Sequence, residues 1–139
     1  MKQFEASTTI TATPKEIFSI YSDVKNWPQW DPDAKSASIN GAFVSGATGV
    51  VVPHGGPTSK IAFQDVVQNK GFSVLCKLPL CQMRFEYELH PMGEQTKAIH
   101  RVVFTGLLAP LFNLLIGSGM KKSIPKGLES LRALAQTGT

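Results

Sequence analysis

The sequence predicts a single α+β domain in which a run of antiparallel strands is followed by a long amphipathic helix. Near the N terminus the segment FEASTTI alternates apolar and polar residues, which is typical of a strand with one buried face. Between Ala34 and Thr105, short strand-like segments are separated by Gly, Pro and Asn. After Leu107, apolar residues recur at helical spacing. Because 139 residues suit one core, we expect residues 1–139 to form one domain.

The composition favours a globular protein. The chain has 42% hydrophobic and 17% charged residues, which is typical neither of disorder nor of a protein with many membrane spans. The start MKQFEASTTITAT lacks the apolar block of a secretory signal, so we expect a cytoplasmic location. In that compartment we expect Cys76 and Cys81 to be free thiols, although a hairpin between them would bring them face to face.

Several classes of function lose support from the charge pattern and the motifs. The net charge is +4, but the basic residues are scattered apart from KKSIPK at Lys121 to Lys126, so we expect no nucleic-acid partner. The sequence has no C-x-x-C and no clustered histidines, and it lacks G-x-S-x-G, P-loop and dinucleotide motifs. We therefore predict no metal and no cofactor.

The first helix has a clear start. Thr13 is suited to the N-cap, Pro14 to the first helical position, and Glu16 to completing a capping box. The apolar face that follows should pack on the core and consists of Ile17, Phe18, Tyr21 and Val24.

Two tryptophans follow this helix in DVKNWPQWDP. Pro28 disfavours helix at Trp27 and can open a new turn, so we predict a break there between two short helices. Both indoles, Trp27 and Trp30, can then turn toward one side. Two roles suit them: clamping the helices onto the edge of the sheet, or lining a pocket.

Further strands are predicted in ASINGAF, TGVVVP, SKIAFQDVVQ, KGFSVLCKL, CQMRFEYELHP and TKAIHRVVFTG, which we expect to form a meander. The clearest alternation places Met83, Phe85, Tyr87 and Leu89 on the buried face. In the last strand we assign His100 inward with its alternating neighbours, since this leaves Lys97 and Arg101 in water. We expect a bulge or a strand end at Asp65, because an unpaired buried carboxylate is costly.

The C-terminal segment predicts a long helix whose apolar positions are Leu111, Leu115, Ile124, Leu128, Leu131 and Leu134. Proline and glycine in its middle predict a kink near Ser123 to Pro125. The apolar stretch Leu107 to Ile116 is shorter than the roughly 20 residues that a bilayer requires. Followed by Lys121 and Lys122, it also suits a transient contact with an anionic membrane surface.

In this order of elements the chain resembles the START-like helix-grip superfamily (SRPBCC), in particular its polyketide cyclase/dehydrase-like group. The segments that carry the resemblance are ATPKEIFSIYSDVKNWPQWDP, YELHPMGEQTKAIHRVVFTGLLAPLF and IPKGLESLRALA. The resemblance implies a curved seven-stranded antiparallel sheet wrapped around the last helix, two short helices after the first strand, and a cavity between sheet and helix. Members include lipid carriers, aromatase/cyclases and co-chaperones, so it implies architecture more than chemistry.

From this we expect binding or transport of a hydrophobic or aromatic small molecule, lipid-like or polyketide-like, in that cavity by a monomer or homodimer. Apolar walls with a few polar anchors are typical of such sites. The expected ligand-binding residues are Phe18, Tyr21, Trp27, Trp30, Phe63, Met83, Phe85, Tyr87, His100, Phe104, Leu111, Phe112 and Leu115.

Two alternatives remain open at this point. A cyclase/dehydratase-like enzyme would use His100 or Tyr87 for proton transfer, whereas in a plain core His100 would be satisfied by backbone or by Tyr87. A protein-interaction module would work through the outer face of the sheet or the kinked helix. His54, in the loop PHGGP, suits solvent exposure or the mouth of a pocket.

Overall fold

The computed structural model describes residues 2–55 and 57–137. Its strands are β1 (Lys2–Ile10), β2 (Ala34–Ile39), β3 (Thr48–Pro53), β4 (Ser59–Val67), β5 (Gly71–Leu78), β6 (Cys81–Met92) and β7 (Gln95–Thr105). Its helices are α1 (Pro14–Ser22), a 3₁₀ helix (Val24–Gln29), α2 (Ala109–Leu115) and α3 (Gly117–Thr137).

The strands form one antiparallel sheet in the order β1-β7-β6-β5-β4-β3-β2. Strands β2 to β7 are a meander, and β1 pairs with β7 along its whole length, from Lys2 opposite Phe104 to Ile10 opposite Thr96. The sheet curls around α3, which packs on β1 and β7. The predicted α+β helix-grip fold is confirmed.

Helix α1 begins as predicted. The Thr13 Oγ1 accepts a hydrogen bond from the Glu16 N–H at 3.1 Å, and the Glu16 carboxylate accepts one from the Thr13 N–H at 3.1 Å. The predicted break at Trp27 was wrong: the chain breaks at Asp23, and Pro28 lies inside the 3₁₀ helix. A short 3₁₀ helix loses only one backbone hydrogen bond to a proline, so it tolerates Pro28.

The strands end close to their predicted limits, with one shift. The strand predicted as ASINGAF begins earlier, at Ala34, and ends at Ile39, so Phe43 lies in the following turn. The bulge predicted at Asp65 is confirmed, because the register slips between Gln64 and Val67. Asp65 has a φ of 51°, and its exposed carboxylate is paired with Arg84.

The last strand is buried on both faces along part of its length. His100 and its alternating neighbours Ala98, Val102 and Phe104 are buried, as predicted. Ile99 and Val103, on the other face, are buried too. This explains why the alternation in TKAIHRVVF is blurred.

The two cysteines, Cys76 near the end of β5 and Cys81 at the start of β6, are buried free thiols.

The C-terminal segment differs from the prediction of one long helix. The helical segment is interrupted at Ile116, which lies before the region Ser123 to Pro125 where a kink was predicted. Helix α3 continues through Pro125. Helix α3 buries Leu128, Leu131 and Ala135, and this burial offsets the backbone bond lost at the proline. None of the helices within residues 2–55 and 57–137 combines the length and apolarity that a membrane span requires.

Candidate functional site

A cavity of about 160 Å³ lies between the concave face of the sheet, α3 and residues 27–33, which contain both tryptophans and are called the tryptophan segment below. The sheet supplies the apolar part of the wall, which includes Val51, Ile61, Val74, Cys76, Met83 and Phe85. The helix α3 supplies Met120, Ser123, Ile124 and Gly127. The polar side chains on the wall include Asp31, Tyr87 and His100.

Strand pairing explains why the wall residues of the sheet lie together. Cys76 on β5 pairs with Met83 on β6, and Val74 pairs with Phe85. Tyr87 pairs with His100 on β7. Since residues directly opposite each other in an antiparallel pair place their side chains on the same face, these pairs form adjacent rows.

The helix contribution follows from helical spacing. Met120, Ser123, Ile124 and Gly127 are separated by three, one and three positions, so they share one face of α3. Gly127 lies against the tryptophan segment. A Cβ added there would lie 3.5 Å from the Trp30 carbonyl oxygen and 3.5 Å from Pro32.

Both tryptophans lie on the cavity wall, and their rings pack on interior strands of the sheet and not on its edge. The Trp27 Nε1–H donates to the Tyr21 carbonyl at 2.8 Å, and the Trp27 ring packs edge-on against Phe63. Trp30 packs edge-on against Tyr87, with ring centroids 6.1 Å apart. Its Nε1–H is buried and has no hydrogen-bond partner among the residues that the structure describes.

His100 is held by Tyr21 and not by either of its predicted partners. Its Nε2 lies 2.7 Å from the Tyr21 hydroxyl. Burial lowers the pKa of His100 to about 3 and raises the pKa of Tyr21 well above its ordinary value. Both side chains are therefore neutral near pH 7, and His100 offers the cavity an uncharged imidazole.

The pKa of Asp31 lies closer to neutrality than the pKa values of His100, Tyr87 and Arg101 on the same wall. Burial is the main cause that raises this pKa to about 6, and the charge of Asp33 adds to it. The Asp33 N–H donates to Asp31 Oδ1 at 3.0 Å, which partly offsets the rise. Burial also raises the pKa of Tyr87, with a further contribution from the Asp31 charge. The negative charge of the Asp31 carboxylate therefore disfavours ionisation of the Tyr87 phenol.

The expected ligand-binding residues divide into three groups in the structure. On the wall lie Trp27, Trp30, Met83, Phe85, Tyr87 and His100. Behind it, in the buried core, lie Tyr21, Phe63 and Phe104. Away from it lie Phe18, Leu111, Phe112 and Leu115.

The members of the third group have other surroundings. Phe18 packs edge-on against Phe43, with ring centroids 5.7 Å apart. Phe112, in α2, is half-buried and packs against the core. Leu111 and Leu115 are 45% and 65% exposed, because the core-facing side of α2 is formed by other residues.

Sequence reasoning missed much of the wall. Asp31 was overlooked although it directly follows a buried tryptophan, where a carboxylate is partly shielded from water. Val74 and Cys76 were also overlooked, although their alternation in β5 and their pairing with β6 place them in the same rows as Met83 and Phe85. Met120 and Ile124 had a weaker signal, since the helical pattern alone does not show which part of a face meets the sheet.

The described part of the chain contains no group of three or more His, Cys, Asp or Glu side chains placed to hold a metal ion. His54 is exposed, and its backbone N–H donates to the Asp33 carbonyl at 3.3 Å, close to the Asp31 side of the cavity.

Comparison with solved structures supports the fold. The chain is similar to a START superfamily protein from Mycobacterium smegmatis, with 18% identity and a TM-score of 0.72, over 94% of this chain and 97% of that one. It is also similar to norcoclaurine synthase from Thalictrum flavum, with 15% identity and a TM-score of 0.74, over 96% and 93%. The di-domain ARO/CYC StfQ from the steffimycin biosynthetic pathway matches with 13% identity and a TM-score of 0.75, over 96% of this chain and 50% of that one.

These identities establish the likeness of fold alone. No curated protein matches the sequence significantly. The profile of one family, described as polyketide cyclase / dehydrase and lipid transport, matches residues 1–136. Since this match spans nearly the whole chain, the protein belongs to the polyketide cyclase / dehydrase and lipid transport family.

Proposed function

We propose that the protein binds an uncharged hydrophobic molecule with an aromatic ring in the cavity between the sheet and α3. The observation that carries this proposal is the cavity itself, which has a mainly apolar and aromatic wall and a few polar groups. Such a wall is typical of small-molecule sites, in which burial provides affinity and a few polar groups fix orientation.

The size of the cavity favours a ring over a long chain. Its volume of about 160 Å³ is close to that of an engineered cavity of about 150 Å³ in another protein, which binds benzene. A long lipid tail or a fused polyketide requires a larger space. The buried part of the ligand therefore corresponds to about one aromatic ring, and any larger ligand must extend toward solvent.

The part of the wall formed by Tyr87 and His100 favours an uncharged group. His100 is neutral, and Tyr87 keeps its proton because burial raises its pKa. A charged group beside these two side chains would lose its hydration without gaining a counter-charge, and the ionised Asp31 carboxylate on the same wall disfavours an anionic ligand at pH 7. A carbonyl or hydroxyl group is a better partner for the Tyr87 hydroxyl and the His100 ring.

Native mass spectrometry of the protein purified from its own host tests this proposal, followed by thermal-shift titration with phenol, benzaldehyde and acetophenone. We expect a co-purifying molecule or a saturable rise in Tm. Ser123→Phe, which places a ring on the cavity face of α3, should abolish the shift. Ser118→Phe is the matched control, because Ser118 is exposed on the same helix. An apo mass with no shift for any of the three compounds would count against the proposal.

The position of Asp31 favours a second candidate, a dehydratase-like enzyme. A general base works best when its pKa lies near the working pH, and Asp31, at about 6, meets this condition better than His100, at about 3. In a β-hydroxy ketone, Asp31 would take the proton α to the carbonyl. The C–H electron pair would form the carbon–carbon double bond, and the hydroxyl would leave with that proton as water.

Ultraviolet absorbance of the enone product, with an aromatic β-hydroxy ketone as substrate, tests this candidate. We expect turnover to rise with pH through about 6, as Asp31 loses its proton. Asp31→Asn should abolish turnover and preserve the thermal shift. Retention of turnover in Asp31→Asn contradicts the role of Asp31 and leaves the binding proposal intact.

A further inference from the structure

Helix α2 carries two apolar faces, and folding requires only one of them. Leu108, Ala109, Phe112 and Ile116 pack toward the core. The opposite side is formed by Leu111, Leu114 and Leu115, which are 45%, 74% and 65% exposed, and Leu107, just before the helix, is 80% exposed. We call these four residues the leucine patch. Such a concentration of exposed leucine in one short segment is unusual for the surface of a monomer.

The patch extends to the neighbouring hairpin. The Leu108 N–H donates to the Leu80 carbonyl at 2.9 Å, which holds the β5–β6 turn against the start of α2. Leu80 is itself 65% exposed. One end of the molecule therefore presents leucines from two separate segments of the chain.

The segment that carries most of the leucine patch and the start of α3 contains positive charge and no negative charge. Between Gly106 and Lys126 the sequence contains no Asp or Glu, and it contains Lys121, Lys122 and Lys126. All three lysines are exposed, and within residues 2–55 and 57–137 none of them takes part in an ion pair. A segment of exposed leucines followed by exposed lysines without ion pairs complements a membrane surface, whose headgroup layer is anionic and whose interior is apolar.

From this complementarity we infer that the leucine patch docks on the surface of an anionic membrane. The leucines enter the boundary between headgroups and acyl chains, and the lysines contact the headgroups. The docked segment is continuous with the cavity wall, since Met120 and Ile124 line the cavity from the turn of α3 that carries Lys121 and Lys122. Docking on a membrane does not depend on ligand binding and can be tested on the protein alone.

Vesicle co-sedimentation of the full chain tests this inference, with phosphatidylcholine vesicles compared with vesicles that also contain phosphatidylserine. We expect binding to the anionic vesicles and much weaker binding to the neutral ones. Lys121→Gln/Lys122→Gln should weaken the anionic binding on the order of fivefold for each lysine removed. Leu111→Ser/Leu115→Ser should weaken it on the order of tenfold.

Matched controls lie at the other end of the sheet. Met92, 54% exposed, ends the strand that begins next to Leu80, and at the rise of a β-strand it lies about 36 Å along that strand. Lys70 and Lys97 are exposed and lie toward the same far end. Met92→Ser and Lys70→Gln/Lys97→Gln should leave vesicle binding unchanged.

Three results would overturn the inference. The first is failure to sediment with anionic vesicles, and the second is an equal loss of binding in the control variants. The third is a concentration-dependent dimer in sedimentation velocity that Leu111→Ser/Leu115→Ser abolishes, which would assign the patch to a second copy of the chain. Circular dichroism and Tm of each variant establish that a loss of binding does not come from unfolding.

Discussion

The Tyr21 hydroxyl and Nε2 of His100 lie 2.7 Å apart in the interior and join α1 to strand β7. Burial disfavours the charged form of both groups, so the contact is a hydrogen bond between neutral side chains. It fixes the imidazole beside Trp30, with ring centroids 5.7 Å apart, and edge-on to Tyr87 at 4.8 Å. One hydrogen bond thus orients the polar part of the cavity wall.

Removing the Tyr21 hydroxyl should destabilise the protein. In Tyr21→Phe, Nε2 of His100 stays buried without this partner, and we expect a loss of about 1–3 kcal/mol in the free energy of unfolding. Urea denaturation measures this change. The control is Tyr87→Phe, in the other tyrosine of the chain, whose side chain lines the cavity; we expect a smaller loss there. Equal losses in the two variants would contradict the role given to the Tyr21 hydroxyl.

His100 should make stability fall as the solution becomes acidic. Its pKa is about 3 in the folded protein and about 6.5 when exposed, so the unfolded chain takes up the proton first. The contribution of His100 is complete above pH 6.5 and is lost toward pH 3, at about 1.4 kcal/mol per pH unit. Urea denaturation of the wild type and His100→Gln at several pH values checks this. Parallel stability curves between pH 6.5 and 4 would rule it out.

Asp31 should act in the opposite direction. Its pKa is about 6 in the folded protein, above the ordinary 3.8, so the folded protein takes up the proton first. The stability that protonated Asp31 contributes is complete below pH 3.8 and is lost as the pH rises through 6. The unfolding free energy of the wild type relative to Asp31→Asn should therefore decrease by up to about 1.4 kcal/mol per pH unit as the pH rises through this window.

The Asp31 and His100 contributions overlap in pH and partly cancel in the wild type. Asp31→Asn should consequently lose stability more steeply than the wild type on acidification from pH 6 to 4. A difference between the two proteins that does not change with pH would show that the Asp31 carboxyl is hydrated in the folded protein.

Gly127→Ala should stabilise the protein and narrow the cavity. The added Cβ would lie in ordinary contact, 3.5 Å from Pro32 and from the Trp30 carbonyl oxygen, and alanine favours a helix interior over glycine by about 0.5–1 kcal/mol. Gly119→Ala is the control, since a Cβ there meets nothing within 4 Å. Both variants should raise Tm, and only Gly127→Ala should change the affinity for an aromatic probe. Destabilisation by Gly127→Ala would mean that the helix cannot approach the tryptophan segment this closely.

Local patterns in the sequence predicted the parts of the fold that local forces determine. The capping box at Thr13 and the alternation from Met83 to Leu89 depend on neighbouring residues, and both are present in the structure. The bulge at Asp65 followed from the cost of burying an unpaired carboxylate. The Tyr21–His100 contact, between residues far apart in sequence, required the packing of a helix against a strand, and no local pattern specifies that geometry.

The C-terminal region was harder to predict for a related reason. Leu111 and Leu115 are four residues apart, as one face of a helix requires, yet both are exposed, because other residues form the core-facing side of α2. At 3.6 residues per turn, a continuous helix would place Leu115 about 160° away from Leu131, so the apolar positions before and after Ile116 do not form one stripe. Periodicity along one helix does not reveal where a second helix begins to pack independently.

The proline within α3 has a consequence for access to the interior. Pro125 cannot donate to the Lys121 carbonyl, so the helix is least firmly bonded in the turn that carries Met120 and Ile124. The next turns remain anchored by Leu128 and Leu131. Loosening of this one turn would displace Met120 and Ile124 from the cavity wall, while the hydrophobic anchor beyond it stays in place.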